Sequence, residues 1–295
     1  MSDAIPAIAP IRWPAEAIWQ AVEPSLEGFT VEILPSIDSS NSELMRRFRG
    51  TPLGSSANPH NAPRLEPTLL VAETQSAGRG RLGRSWHSRR GDSLTFSLGM
   101  ALQPIDWSGL SLVVGISLAE SLDPQADDSQ HIGLKWPNDL WIVGPEGERK
   151  LAGILVETTT LEGARHVVIG VGINIQSLER GIELDLAVAA QTATSGAAAI
   201  PPGYLQQLLP NIDAAAALLR IVPQLVQDVQ AFERFGFAPF QARFAQRDVL
   251  SSRAVRLSDG TEGTAHGVGE NGALLVHTAA GMKEITSSEV SVRPC

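Results

Sequence analysis

Residues 132–157, Ile-Gly-Leu-Lys-Trp-Pro-Asn-Asp-Leu-Trp-Ile-Val-Gly-Pro-Glu-Gly-Glu-Arg-Lys-Leu-Ala-Gly-Ile-Leu-Val-Glu, decide the fold class. Three apolar runs, 132–136, 140–143 and 151–157, have strand length and are too short for helices. Pro137 lacks the N–H that would continue a ladder. Gly144-Pro145-Glu146-Gly147 carries the backbone chemistry of a turn. A fourth run, 166–175, follows at once. Short strands in succession, joined by turns, predict neighbours in a mixed or antiparallel sheet with helices laid on it, an α+β fold.

The pattern extends in both directions from this block. Residues 30–34, 68–73 and 94–98 read as strands. Residues 15–27 read as a short helix around Ile18, Trp19 and Val22. Ser40-Asn41-Ser42-Glu43 reads as a capping box that starts a helix through Leu44, Met45 and Phe48. Residues 108–122 have helical spacing, with Leu110, Val113, Val114, Ser117 and Leu118 on a broad inward face. Asp213 is a good N-cap for a long helix towards Phe235, which Pro223 is expected to kink or split. Residues 50–67 read as a surface loop, and 176–202 are alanine-rich and weakly patterned.

After about residue 247 the helical pattern gives way to alternation. Residues 254–257, 264–268, 274–276 and 290–292 read as strands, with Asp259-Gly260 and Asn271-Gly272 as hairpin turns. A small β-barrel or sandwich is expected there, packed on the larger domain.

The chain has 295 residues, 43% of them hydrophobic and 19% charged, and a formal net charge of −9. That composition predicts a globular protein without a broad nucleic-acid surface, so any anion site must be local. A single cysteine, Cys295, excludes an internal disulfide and a cysteine-based zinc site. No signal peptide and no bilayer-spanning apolar run is visible, which predicts a cytoplasmic, non-membrane protein.

Cationic positions are filled by 20 arginines and only three lysines, Lys135, Lys150 and Lys283. Lysine is a compact point charge, arginine a planar fork, so the exceptions stand out. Lys135 opens Lys-Trp-Pro-Asn-Asp, which places a cation, a carboxamide (Asn138) and a carboxylate (Asp139) at a strand end. Lys150 stands at the mouth of an apolar strand that contains Gly153. A glycine inside a strand often marks close approach of a ligand or backbone. Lys283 reads as an ordinary surface residue.

Gly78-Arg79-Gly80-Arg81-Leu82-Gly83-Arg84 follows the strand at 68–73. Three arginines on one short loop repel one another, and an anion would relieve that repulsion. By its residues alone the loop is as consistent with a solvated basic segment or an Arg-Gly contact to RNA. It matches neither a P-loop nor a dinucleotide fingerprint. Gly170-Val171-Gly172-Ile173-Asn174-Ile175 sets Asn174 between isoleucines, either as a structural strand-end group or facing a purine edge.

Taken together, in this order and spacing, these segments resemble the biotin protein ligases. The resemblance rests on Asp38-Ser39-Ser40-Asn41, Glu73-Thr74-Gln75-Ser76-Ala77 with the following arginine loop, Lys135–Asp139, residues 150–154, and Gly172-Ile173-Asn174. It implies a catalytic domain related to class II aminoacyl-tRNA synthetases and lipoate ligases, over residues 37–246. An SH3-like β-barrel over 247–295 follows, and 1–36 is an N-terminal extension too short for a winged helix. The implied reaction makes biotinyl-5′-AMP from biotin and ATP with Mg²⁺. Biotin then passes to a lysine of the biotin carboxyl carrier protein of acetyl-CoA carboxylase. The resemblance assigns Lys150, Asp139 and Arg79 to catalysis. To biotin it assigns Ser39, Ser40, Gln75, Gly78, Arg79, Arg81, Lys150 and Gly153. To ATP it assigns Arg81, Arg84, Trp86, Lys135, Asn138 and Asn174, and it names no metal ligands. No DNA is expected as partner, and a homodimer is one assembly the resemblance allows. Leu82 stands where some relatives have a further arginine, and Ser40 where many have threonine. Lipoate or octanoate as the acyl group, or a protein that only binds the adenylate, are the competing readings.

Overall fold

A computed structural model of the chain describes residues 10–49, 66–126, 129–161, 163–177, 200–286 and 292–295. The expected loop at 50–67 and the weak segment at 176–202 lie largely outside the described residues.

The larger unit is built on a seven-stranded sheet. Its strands are β1 (Thr30–Leu34), β2 (Thr68–Ala72), β3 (Ser93–Ala101), β4 (His131–Lys135), β5 (Asp139–Val143), β6 (Arg149–Leu161) and β7 (Ala164–Asn174). They run in the order β1-β2-β3-β7-β6-β5-β4. Only β1 and β2 pair in parallel, so the sheet is mixed. The block at 132–157 forms three neighbouring antiparallel strands, as its turns predicted. Gly147 N–H closes the intervening turn onto the Gly144 carbonyl at 3.0 Å.

One face of the sheet carries the main core. Leu69, Val71, Phe96, Leu98, Leu140, Ile142, Ile154, Ile169, Val171 and Ile173 point to it and are buried. Against it lie α1 (Ala15–Val22), α3 (Leu110–Leu122) and α4 (Ala214–Phe235). Helix α3 is buried almost all round, because the sheet and α4 flank it. The other face is covered by α2 (Ser40–Phe48), whose Leu44, Met45 and Phe48 pack on Leu70 and Val168. A short helix α5 (Gln241–Ala245) brings Arg243 into a fork, 2.7 Å from Glu120 on α3 and 3.0 Å from Asp228 on α4.

Three expectations about the larger unit need correction. Of the kink or split expected at Pro223, the split does not occur: helix α4 is a single 22-residue element. Proline removes one backbone hydrogen bond, and the buried stripe of Leu218, Ile221, Val222, Leu225 and Val229 outweighs it. The N-cap of α2 is Ser39, whose hydroxyl accepts from Ser42 N–H, so Ser40 and Glu43 do not form a capping box. Glu43 instead pairs with Arg46 and Arg47. Residues ahead of 37 are no mere extension: β1 is an edge strand of the sheet, and Ile18, Val22 and Phe29 belong to its core.

The C-terminal strands are β8 (Ala254–Leu257), β9 (Glu262–Val268), β10 (Leu274–Thr278), β11 (Gly281–Ile285) and β12 (Val292–Pro294). They form one antiparallel sheet in the order β11-β10-β9-β8-β12. Among the described residues β11 and β12 do not pair, so the expected barrel is an open sheet. Strand β11 was not among the strands read from the sequence. The sheet is tied to the larger unit by Trp136, whose Nε1 donates to the Gly272 carbonyl at 3.1 Å. Gln241 Nε2 likewise donates to the Val268 carbonyl at 2.7 Å.

Asp248 sits at this junction, bridged to Leu134. Burial pushes its carboxyl up to about 6, although it accepts the Leu250 N–H at 2.9 Å. Its Oδ2 is buried with no hydrogen-bond partner among the described residues. The folded state therefore holds this proton more tightly than the unfolded chain does. Stability from this group is gained as pH falls from about 6 towards 4, and lost as pH rises again. Asp248→Asn should raise stability by about 2 kcal/mol at pH ~7.5 and by almost nothing at pH ~4. Urea unfolding at the two pH values checks both.

Candidate active site

A cavity opens on the α2 side of the sheet, between the N-terminus of α2, the arginine loop and the ends of β4, β5, β6 and β7. Among the described residues its walls carry five cationic side chains, Arg79, Arg81, Arg84, Lys135 and Lys150, against one carboxylate, Asp139. In a chain of net charge −9 this is a strong local reversal of sign, suited to an anion.

Lys150 Nζ donates to Asp139 Oδ1 at 2.8 Å. Strict alternation would not bring these two together. Asp139 pairs with Gly153 and Leu140 with Ala152, but Trp141 pairs with Lys150, so β6 has one extra residue here. This bulge sends both Leu151 and Ala152 into the core. It turns Lys150 to the same face as Gly153 and Asp139. A side chain at Gly153 would begin 3.7 Å from Lys150 Nζ and 3.8 Å from Asp139 Oδ1, covering the ion pair.

The Lys150 backbone is clamped separately. Its N–H donates to the Pro201 carbonyl, and its carbonyl accepts from Gly203 N–H at 2.7 Å. Asn174 Nδ2 donates to the carbonyls of Lys150 and Gly203 at 3.2 and 3.1 Å. The structure thus gives Asn174 a holding role behind Lys150. Gly78 is also off the main cavity. A Cβ there would lie 2.3 Å from the Trp86 carbonyl, so glycine lets the two arms of the loop close on each other.

Residues 78–86 form a narrow hairpin. Gly80 N–H donates to the Arg84 carbonyl and Trp86 N–H to the Gly78 carbonyl, at 2.7 and 2.9 Å. Arg81–Gly83 form a 3-10 turn at the tip, with Leu82 at φ 56° and exposed. Arg79 pairs with Glu157 at 2.9 Å, and Arg81 Nη1 donates to Asn138 Oδ1 at 3.3 Å. Asn138 Nδ2 donates to the Ile154 carbonyl. Trp86 lies flat against β7: a Cβ on Gly172 would be 2.3 Å from the indole, so only glycine admits the ring. The indole Nε1 is buried without a hydrogen-bond partner among the described residues.

Next to this charged end is a neutral polar slot. The oxygen Oε1 of Gln75 accepts Ser40 N–H at 2.8 Å, with the Ser40 hydroxyl 3.2 Å away. Ser39 and Ser40 are both buried.

Lys135 is buried at the floor. Burial pushes its ammonium down to about 8, partly opposed by Asp139 and reinforced by Lys150, Arg84 and Arg81. Its charge is present below about pH 8 and lost as pH rises through that value. Affinity for a polyphosphate should be flat below pH ~8 and fall up to about tenfold by pH ~9.5. Titration of ATP binding across that range checks this, and Lys135→Met should flatten the profile.

The residues marked the cations and the resemblance assigned Ser39, Ser40 and Gln75, but neither pointed to Asn41, Ser97 and Glu157 as one connected polar group. The available signal was Ser97 within the apolar run of β3.

Residues 59–174 match the Biotin/lipoate A/B protein ligase family, and residues 253–293 match the Biotin protein ligase C terminal domain. The bifunctional ligase/repressor BirA of Escherichia coli strain K12 is 34% identical over 276 residues, covering 91% of this chain and 75% of that protein. The chain belongs to the biotin protein ligase family. A biotin–[acetyl-CoA-carboxylase] ligase of Paracoccus denitrificans is 28% identical and covered over 98% of its length. The biotin protein ligase from Aquifex aeolicus in complex with biotin and ATP superposes with a TM-score of 0.64 at 26% identity, over 90% of this chain and 99% of that one.

Proposed function

We propose that this chain activates biotin with ATP as biotinyl-5′-AMP and transfers biotin to a lysine of the biotin carboxyl carrier protein of acetyl-CoA carboxylase. The observation that carries this reading is one cavity holding a neutral polar slot at Ser39, Ser40 and Gln75 beside a five-cation cluster. A ureido ring needs a few fixed polar partners in an enclosed slot. A carboxylate meeting a polyphosphate needs concentrated positive charge.

In the first step the biotin carboxylate oxygen attacks the α-phosphorus and the bond to the β-phosphate breaks, releasing pyrophosphate. Lys150, turned into the cavity by the β6 bulge, offsets the repulsion between the two anions. Lys135, Arg81 and Arg84 surround the phosphates, and Trp86 offers its face to the adenine. Arg79 and the hairpin close over the adenylate and exclude water from it. Magnesium fits as an ion carried by the nucleotide, because Asp139 and Glu157 are already engaged by Lys150 and Arg79. Among the described residues no cluster of three or more metal-ligating side chains is present.

In the second step the acceptor amine attacks the acyl carbon, AMP leaves, and a proton is released. The acceptor lysine is mostly protonated at neutral pH. Asp139, the one carboxylate among the described residues of the cavity, is the group to orient it and take its proton. Every group named belongs to a single chain, so a homodimer is not required for the chemistry. No helix among the described residues is long and apolar enough to cross a membrane; we place the reaction in the cytoplasm. The domain reading that goes with it has the C-terminal sheet, from about 247, as an SH3-like unit on a synthetase-like catalytic domain.

Incubation of protein, biotin, MgATP and a biotin-acceptor domain, probed with streptavidin, tests the reading. Label on the acceptor lysine is expected. Absence of label, or pyrophosphate exchange driven by lipoate or octanoate in place of biotin, would overturn it.

A further inference from the structure

Glu157 on β6 is the end of a buried chain of hydrogen bonds that the roles above do not use. Its Oε1 accepts Arg79 Nη2 at 2.9 Å, and its Oε2 accepts Arg79 Nη1 at 3.2 Å and Asn41 Nδ2 at 3.1 Å. Asn41 Nδ2 also donates to the Leu155 carbonyl at 3.2 Å. Asn41 Oδ1 lies 2.6 Å from Ser97 Oγ, which lies 2.7 Å from Ser40 Oγ. Asn41, Ser97 and Ser40 are all buried.

The chemistry of the groups fixes where the protons are. Glu157 and the Leu155 carbonyl can only accept, so they hold the Asn41 amide with its NH₂ towards them. Its oxygen must therefore face Ser97, and Ser97 must donate to it. Ser97 has one proton, given to Asn41, so the Ser40 hydroxyl proton goes to Ser97 at 2.7 Å or to Gln75 Oε1 at 3.2 Å, both of which can only accept it. Ser40 is left with lone pairs and no proton for the cavity. The slot then presents an acceptor at this point, complementary to an N–H and not to a carbonyl.

We propose that Glu157 is a positioning residue that does two things through one carboxylate: with Asn41 and Ser97 it sets Ser40 as an obligate acceptor for a substrate N–H, and it holds Arg79 over the cavity mouth. The specificity half rests on the biotin reading, since a ureido ring has N–H groups and the lipoate ring has none. Arg79 and the slot are thereby linked, because the same carboxylate orders both.

Glu157→Gln keeps the shape but puts an NH₂ against either Arg79 or Asn41. In ligand-free protein, trypsin cleavage at Arg81 and Arg84 should accelerate about tenfold. The KM for biotin in pyrophosphate exchange should rise about tenfold, with kcat and the KM for ATP changing less than about twofold. Ser97→Ala breaks only the proton order: the biotin KM should rise similarly while loop cleavage stays as in the parent. A thermal melt of each variant reports its folding. Unchanged cleavage in Glu157→Gln, or equal losses for biotin and ATP in both variants, overturns the proposal. If the parent protein fails to activate biotin, the functional reading falls instead, and the cleavage comparison alone decides the hold on Arg79.

Discussion

Lys150→Ala is expected to slow adenylate formation by about 10²–10³-fold. The attacking carboxylate and the α-phosphate are both anionic, and Lys150 is the cation whose charge sits at the Asp139 end of the cavity, over Gly153. Its position is over-determined: a bulge turns it inward, backbone bonds to Pro201 and Gly203 hold its main chain, and Asn174 braces that clamp. A substitution therefore removes the charge without moving the frame. The Lys150–Asp139 pair is partly exposed, with side-chain exposures of 34% and 15%, so its loss should cost less than about 1 kcal/mol of stability. Arginine should not restore the rate, because its wide fork would meet Asp139 and the Gly153 strand in a space sized for one ammonium. Single-turnover pyrophosphate release, with a melting curve beside it, measures this. A near-parental rate would remove Lys150 from the chemistry.

Asp139→Ala should separate the two steps. Without acceptor, adenylate formation should fall about tenfold, because Lys150 loses its fixed partner. Transfer to the carrier lysine should fall by about 10²–10³-fold, the usual size of a lost general base. Quench-flow of adenylate formation and of acceptor labelling gives both numbers. Equal losses would show that Asp139 only holds Lys150. An independent mark accompanies the substitution. Asp139 supports the Lys135 charge, so without it the Lys135 ammonium is pushed below about 8, and the pH at which ATP affinity declines shifts downward with it.

The fold was readable where local chemistry and tertiary structure agree. Gly144-Pro145-Glu146-Gly147 can only turn, and the runs around it can only be strands, so β4 to β6 were placed within a few residues. Ser39, by contrast, caps α2 although Ser40 reads as the better box, because Gln75, 35 residues away, takes the Ser40 N–H. Pro223 reads as a break only if the buried stripe of α4 is ignored.

The site divides in the same way. Residue type and spacing marked Lys135, Asn138, Asp139, Lys150 and the arginine loop, since a chain with three lysines places two of them in its two oddest motifs. Only the folded chain decided how they act. The β6 bulge brings Lys150 to Asp139 against strand alternation, Asn174 bonds to the Lys150 and Gly203 carbonyls, and Glu157 meets Arg79 and Asn41 from distant parts of the sequence. Charge and turn chemistry are local and are carried by each residue wherever it goes. Register, bulges and proton order arise only between strands, and no single segment contains them.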